Sequence, residues 1–411
     1  MIQRITLAYS GGLDTSFCVA WLREERGAEV VTCCVDTGGF GADELAALED
    51  KALSLGAVEH HTVDARADVY ERFVSYLVKG NVLRGGVYPV SVAAERTAQA
   101  EAVVKIARQT GSTGIAHGST GAGNDQVRFD VALATLAPDL ELHAPIRELH
   151  WSREQESDWL KAHGVAVPDQ LVGYSLNEGL FGTTIGGRET HDGWSLPPED
   201  AYSLTCAASE AVDTPEELIV GFEHGLPVSL DGVAMDGVAL VEALNARCKP
   251  HGVGRGVHVG DTVLGVKGRI AFEAPAPLVL IAAHRELQKL VATKWQAMGA
   301  DQAGATYGML LHEGLYYDPA MRDLEALLDS ANTRVTGEVR VRLYKGAHHV
   351  VGARSPFSLL GQGALYGEGA EAWTGAEAAG FARLHGLQSM LAARQGGLEI
   401  EGGTLNKETS A

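Results

Sequence analysis

The sequence predicts an α/β chain. A parallel sheet with helices spans residues 1–165, an α+β region spans 166–370, and a C-terminal helix and tail occupy 371–411. Three observations predict it. Short apolar, β-prone runs alternate with helix-spaced stretches through the first region. Three conspicuous turns each follow such a strand, the place where a parallel sheet collects its ligands. Beyond residue 166 prolines cluster at 197–198, 215, 227, 250, 275 and 277, and the segments become strand-like.

The elements follow in order. Arg4–Tyr9 is a buried strand and Ser10-Gly11-Gly12 its turn. Asp14–Arg26 is a helix with Phe17, Trp21 and Leu22 on one face and Gly27 as its stop. Val30–Val35 is a second strand, ending in Asp36-Thr37-Gly38-Gly39. Asp43–Gly56 is a helix with Leu45, Leu48 and Leu53 turned inward. Val58–Val63 is a third strand, Ala94–Gly111 a helix, and Gly114–His117 leads into a second glycine-rich turn. Later strands are expected at Leu218–Glu223, Val257–Val266 and Leu278–Ala282. Val335–Tyr344 alternates as a half-exposed strand should. Residues 283–299 and 319–331 read as helices, Ala378–Arg394 as the last helix, and Gln395 onward as disordered.

Hydrophobic residues at 45% and charged residues at 21% fit a soluble globular protein with room for two domains. A net charge of −20 disfavours a broad nucleic-acid footprint, so no nucleic-acid partner is expected. A small phosphate site stays compatible with it, because local amides build such sites. The five cysteines form no C-x-x-C pair; Cys18, Cys33 and Cys34 lie in apolar runs and read as core, which favours a reducing, cytoplasmic setting. No signal peptide and no membrane span are expected. His60-His61 and His348-His349 lack partners at ligand spacing and read as strand or surface residues. Lys267 and Arg269 either reach phosphates or are solvated.

Chemistry concentrates in two motifs. Ala8-Tyr9-Ser10-Gly11-Gly12-Leu13-Asp14-Thr15-Ser16 stands between a strand and a helix. Its glycines let backbone approach a ligand, and the free amides and helix dipole favour an anion. The hydroxyls of Ser10, Thr15 and Ser16 add donors, and Asp14 either caps the helix or helps hold Mg²⁺. Neither the Walker spacing nor Gly-x-Gly-x-x-Gly is present. The motif resembles the PP-loop of ATP pyrophosphatases, which grip the departing pyrophosphate while adenylylating a substrate oxygen. The second motif runs from His117-Gly118-Ser119-Thr120 to Gly123-Asn124-Asp125-Gln126-Val127-Arg128-Phe129. Asn124 and Arg128 share a helical face. Asp125 suits an ammonium and Arg128 a carboxylate or activated oxygen; a turn with a helix cap and a surface arginine is the alternative.

Together the two motifs resemble the argininosuccinate synthase family. So do Pro168–Gly187, Val335-Thr336-Gly337-Glu338, Leu343-Tyr344-Lys345-Gly346, Arg354-Ser355-Pro356 and Gly380-Phe381. The resemblance implies a PP-loop nucleotide-binding domain, a synthetase domain, a homotetramer joined by its C-terminal helix, and small-molecule substrates only. It implies an AMP-forming carbon–nitrogen ligase. ATP adenylylates the ureido oxygen of citrulline, and the aspartate amine displaces AMP. It assigns ATP to Ala8 through Ser16, Val35, His117 and Gly118, and aspartate to Thr120, Asn124 and Asp125. The acceptor would meet Ser91, Asn124, Arg128, Ser175, Thr184, Gly260 and Phe272, with catalysis resting on Ser10, Asp14, Asn124 and Arg128.

The departures gather on the acceptor side. Ala122 stands where the family has a basic residue. Tyr174-Ser175-Leu176-Asn177-Glu178-Gly179-Leu180 replaces Trp/Tyr-Ser-x-Asp-x-Asn-Leu, and Thr184-Ile185-Gly186 replaces Ser-x-Glu. A family tyrosine aligns near Gly86, with Val90-Ser91 following, and a glutamate and a tyrosine that contact citrulline align with Gly260 and Phe272. Glycines at 86, 179, 186 and 260 imply a roomier, less charged pocket and an acceptor that is either citrulline or another ureido, amide or carbonyl compound. Two other readings, a PP-loop tRNA-modifying enzyme and a non-catalytic nucleotide-binding protein, fit the charge and the intact motifs less well.

Overall fold

The computed structural model describes residues 2–166, 174–369 and 371–396, apart from the side chains of Tyr174 and Arg188, and the backbone of 399–400 and 403–404. The chain divides into two compact units, Met1–Ser358 and Leu359–Ala411. The first opens with five strands: β1 (Arg4–Ala8), β2 (Glu29–Asp36), β3 (Glu59–Asp64), β4 (Gly114–Ala116) and β5 (Glu141–His143). They pair in parallel in the order β3-β2-β1-β4-β5. The chain winds outward from β1 to β3, then returns to start again at β4. Such an order opens a crevice beyond the ends of β1 and β4, and both glycine-rich turns lie there.

Each face of this sheet is buried, which is why its strands are continuously apolar. Ile5, Leu7 and Val30 meet Phe17, Val19 and Leu22 of the helix Leu13–Arg26. Val31, Cys33 and Ile115 join Ala94, Ala98 and Val103 of the helix Ser91–Gln109, in a core continuous with Phe222, Leu280 and Val339.

The rest of this unit adds β6 (Tyr174–Asn177), β7 (Thr183–Gly187), β8 (Glu216–Glu223), β9 (Leu226–Leu230), β10 (Val233–Ala234), β11 (Arg255–Asp261), β12 (Lys267–Glu273), β13 (Gly337–Tyr344) and β14 (Ala347–Arg354). They form two antiparallel sheets, β11-β12-β7-β6 and β10-β9-β8-β13-β14. In β13 Val339, Val341 and Leu343 are buried while Arg340, Arg342 and Tyr344 are exposed, as its alternation predicts.

Several elements differ from the sequence expectation. Leu278–Ala282 lies inside the helix Pro275–Val291. An all-apolar run has no period to distinguish helix from strand, and Pro275 and Pro277 sit in the first turn, where their missing N–H groups break no bond. The helix expected at 283–299 ends at Val291, and another, Lys294–His312, starts behind the cap of Thr293 on the Gln296 amide. Val257–Val266 is strand β11 followed by the turn that leads into β12. Leu53 is 44% exposed rather than inward; the helix Ala42–Ser54 fully buries only Ala52 and half-buries Leu45 and Leu48. The last helix is two, Gly375–His385 and Leu387–Gly396. Gln395 and Gly396 belong to that second helix; Pro168–Gly173 and most of the tail beyond lie outside the described residues.

Gly304, on the helix Lys294–His312, abuts Gly80; a Cβ at 304 would stand 2.0 Å from the Gly80 carbonyl oxygen. Backbone cannot move aside as a side chain can. Gly304→Ala is therefore expected to cost about 1–3 kcal/mol of stability, read as a lowered Tm; an unchanged Tm would show that the two segments can part freely.

Candidate active site

A cavity of about 1180 Å³ lies beyond the ends of β1, β2 and β4, all within the first unit. One end of it is the turn Tyr9–Gly12. Gly11 has φ +73°, and a Cβ there would meet Leu48 Cδ2 at 1.9 Å. Both facts require glycine, and they explain why Leu48 leans in where Leu53 does not. The Lys51 ammonium donates to the Gly11 carbonyl at 2.6 Å, fixing the turn from the helix side. Ser10 Oγ lies 3.2 Å from Thr15 Oγ1, and both side chains face the cavity; Ser16 is buried and donates to the Gly11 carbonyl. Gly12, not Asp14, is the N-cap. The Asp14 carboxylate receives Arg153 Nε at 3.3 Å. Burial, with Asp14 alongside, pushes the Glu156 carboxyl up.

His117 holds the turn after β4 together. Its Nδ1 accepts the Ser119 amide at 3.2 Å, so the ring proton sits on Nε2, facing Asp130 at 2.9 Å, and Phe129 stacks on it. Ala8, Tyr9, Val35, Gly118 and Thr120 line the same cavity. Gly38 (φ +94°) lets the segment 178–180 cross closely: the Leu180 amide donates to the Thr37 carbonyl at 2.8 Å, and a Cβ on Gly38 would touch Leu180 backbone at 2.7 Å.

Beyond lies a charged clamp. Asp125 sits between two guanidiniums, Arg96 Nη2 at 3.0 Å and Arg128 Nη1 at 2.9 Å. Burial raises its carboxyl, but the two arginines outweigh that and hold it below the usual range. Arg128 Nε donates to the His312 carbonyl at 2.9 Å, and Nη2 to His312 Nδ1 at 3.0 Å. Asn124 Oδ1 accepts the Val263 amide at 2.8 Å, tying this helix start to the β11–β12 turn.

The acceptor-side residues divide. Ser175, Thr184 and Gly260 line the cavity. Ser91 is buried, its hydroxyl 3.4 Å from that of Tyr88, and Phe272 packs under Tyr88 with ring centroids 5.3 Å apart. Phe272 and Gly86 line a separate pocket of about 300 Å³. The space released at two glycines is occupied. A Cβ on Gly179 would stand 1.7 Å from Glu95 Oε1, and one on Gly260 would stand 2.5 Å from His258 Nε2. The expectation of extra room thus holds at Gly186, where only the Ser175 carbonyl oxygen comes within 4 Å, at 3.9 Å, and at Gly86, where nothing comes within 4 Å but the space belongs to the separate pocket. Of the two cations left open, Arg269 Nη1 donates to the carbonyls of Glu189, Asp192 and Ser195, and Lys267 pairs with Asp261 in solvent.

Sequence reasoning missed Lys51, Arg84, Glu95, Arg96, Arg153, His258 and His312. All but Lys51 and Glu95 line the cavity. None belongs to a glycine-rich motif, and lone charges along a helix or strand carry no local signal of a shared site.

Comparison with known proteins now bears on this geometry. The arginosuccinate synthase N-terminal HUP domain matches residues 4–166, and the arginosuccinate synthase C-terminal domain matches 174–392. The chain belongs to the argininosuccinate synthase family. It is 40% identical to the argininosuccinate synthase of Staphylococcus saprophyticus over 94% of this chain and 96% of that one. It is 40% identical to that of Pyrococcus furiosus over 95% and 94%, and 38% identical to that of Staphylococcus aureus strain JH9 over 99% and 100%. Membership makes the protein an ATP-using, AMP-forming carbon–nitrogen ligase of this type. Among the described residues no helix is long and apolar enough to cross a membrane.

Glu95 is 1% exposed, its Oε1 has no hydrogen-bond partner, and Thr37 bonds its carboxyl. Burial pushes the group from 4.5 up to about 8, with Arg96 opposing and Asp125 adding to the rise. The folded state then keeps a proton that the unfolded chain loses near pH 4.5. Stability should fall through the window from 4.5 to 8, by roughly 1 kcal/mol per pH unit. Glu95→Gln has no such proton, so its Tm advantage over wild type should grow from the bottom of that window to the top. A difference that does not vary with pH would mean that Glu95 is ionised in the fold.

Proposed function

We propose that this ligase joins L-aspartate to an acceptor other than citrulline. The acceptor's carbonyl or ureido oxygen attacks the α-phosphorus of ATP and pyrophosphate leaves. The aspartate nitrogen then attacks the activated carbon, AMP leaves with the C–O bonding pair, and the amine gives up a proton. The amides and hydroxyls of Ser10–Ser16 receive the charge that develops on the pyrophosphate, and the turn after Val35 with His117-Gly118 receives the nucleotide. Among the described residues no group of three or more His, Cys, Asp or Glu is arranged for a metal. A magnesium ion would be shared with the phosphates, its usual manner of binding, with Asp14 as the protein ligand; it would neutralise phosphate charge. Thr120 and Asn124 suit the aspartate carboxylates and Asp125 its ammonium. Arg128 faces the acceptor oxygen.

One observation carries the altered acceptor. Beside Gly260, where the resemblance expects a carboxylate for citrulline's α-ammonium, stands the imidazole of His258. An ammonium desolvated there would lack its partner, a loss of about 2–5 kcal/mol. The chain is also proposed to form a homo-oligomer through Gly375–His385 and Leu387–Gly396, whose Phe381, Leu384, Leu387 and Leu391 are exposed.

Pyrophosphate release with ATP, aspartate and a panel of ureido and amide compounds tests this reading. Little or no turnover is expected with citrulline at millimolar concentration; a micromolar citrulline KM with ordinary kcat would restore citrulline as the acceptor.

Ser10→Ala and Asp14→Ala should each keep the wild-type fold by circular dichroism and lose about 100-fold in rate. Near-normal pyrophosphate release from both would remove the phosphate role of the turn.

A further inference from the structure

We propose that the corner of the cavity formed by Arg84, His258 and His312 binds a carboxylate of the acceptor. This rests on the altered-acceptor reading and names the substrate class: a ureido or amide acid whose anionic end carries no neighbouring ammonium.

The hydrogen-bond inventory of the corner is one-sided. A guanidinium only donates. Arg128 Nη2 and Arg84 Nη1 approach His312 Nδ1 at 3.0 and 3.4 Å, so that nitrogen accepts and the ring proton sits on Nε2. This Nε2–H is buried and has no partner in good hydrogen-bond geometry; the Asp261 backbone carbonyl is the acceptor near enough to act on the ring. The nearby Asp261 carbonyl already receives Arg84 Nη2. His258 Nε2 is likewise buried without a partner. The two rings are 7% and 5% exposed, and both line the cavity. A buried polar atom left unpaired costs about 1–3 kcal/mol, so two at one corner mark the place of an absent partner.

The charge is one-sided as well. Arg84 faces the cavity and makes no ion pair among the described residues. The carboxylates around it are engaged or turned away: Asp125 is held by Arg96 and Arg128, and Asp261 pairs with Lys267 in solvent. Burial and Arg128 act on Arg84 more than any carboxylate does, and Asp261 acts on it more than Glu313. Burial and the two guanidiniums drive the His312 imidazolium off, its pKa falling to about 3, and burial followed by Arg84 lowers that of His258. An arriving anion would meet a guanidinium without an ion-pair partner, the Nε2–H of His312 and the neutral ring of His258, while the nearest carboxylate, Asp261, pairs with Lys267. The glycine at 260 makes this possible, since its missing side chain is the space into which His258 Nε2 projects.

Arg128 links the corner to the chemistry. One guanidinium touches Asp125 of the amine clamp and His312 of the corner. An acceptor anchored by its carboxylate at Arg84 would extend its carbonyl toward Arg128, next to the aspartate amine.

The test compares 3-ureidopropionate with its neutral counterpart, propylurea, in wild type, Arg84→Gln and Arg84→Lys, by calorimetric binding and by pyrophosphate release with ATP and aspartate. Wild type should bind the acid at least about tenfold more tightly. Arg84→Gln should lose that preference while still binding propylurea, and Arg84→Lys should recover part of it. Equal affinity for acid and neutral urea, an equal loss of both in Arg84→Gln, or no binding of the acid at millimolar concentration would overturn the carboxylate corner. Efficient turnover of citrulline would instead overturn the altered-acceptor reading, whatever the Arg84 variants do.

Discussion

The buried guanidinium of Arg128 is the contact on which the site depends. Its planar fork reaches the Asp125 carboxylate, the His312 carbonyl and the His312 ring. Those partners come from the start of one helix and the end of another 184 positions away in sequence. A buried cation is stable only when paired and fully bonded. Satisfying Arg128 therefore requires the nucleotide-binding sheet and the later helices to be assembled in this one arrangement. Asn124 adds a second tie, from the same helix start to the β11–β12 turn. The cavity is what these ties enclose, so its geometry is set by the requirement to pair a charge as much as by apolar packing.

Electrostatic balance explains how a strongly acidic chain can handle anions. The net charge of −20 is spread over the surface, where water and salt screen it. Inside the cavity the excess of acid disappears: Arg84, Arg96, Arg128, Arg153 and Arg269 line it against Asp14, Asp125, Glu178, Asp200 and Asp261, and Asp14 and Asp125 are each already bonded to an arginine. Nucleotide phosphates meet local donors at short range, where burial strengthens each interaction. Overall charge bears on solubility and on polyanionic partners, and says little about a site of this size.

The sheet, its order of elements and the two motif turns were legible because each rests on local signals. Apolar runs, glycine stops and strand-to-helix turns are written within a dozen residues. The errors also have local causes: Leu278–Ala282 is apolar throughout and carries no period, and Leu53 obeys the helical spacing but faces water because Leu48 is the residue that covers Gly11. The acceptor wall was legible only in outline. Glycines at 179 and 260 were visible as missing side chains, but what enters the gaps comes from residues 84 positions away in one case and two in the other. Arg84, Glu95 and His312 acquire meaning only when the chain is folded, since no spacing rule relates them.

The two filled gaps bear on how such a pocket can change. At Gly179 the volume belongs to Glu95 Oε1, and at Gly260 to His258 Nε2, each closer than any Cβ could tolerate. A side chain cannot enter either position until its neighbour leaves, and the neighbour cannot leave without opening a void or unpairing a polar group. The positions are therefore coupled in pairs, and each pair has two self-consistent states with unfavourable intermediates between them. In the state present here, the buried Glu95 carboxyl supports the segment that crosses Gly38, and an imidazole occupies the wall beside Arg84. On the proposed reading, both leave the two motif turns intact while an imidazole stands beside Gly260 in place of the carboxylate that the family resemblance implies. The reaction type and the acceptor thus reside in separable parts of one cavity, joined by Arg128.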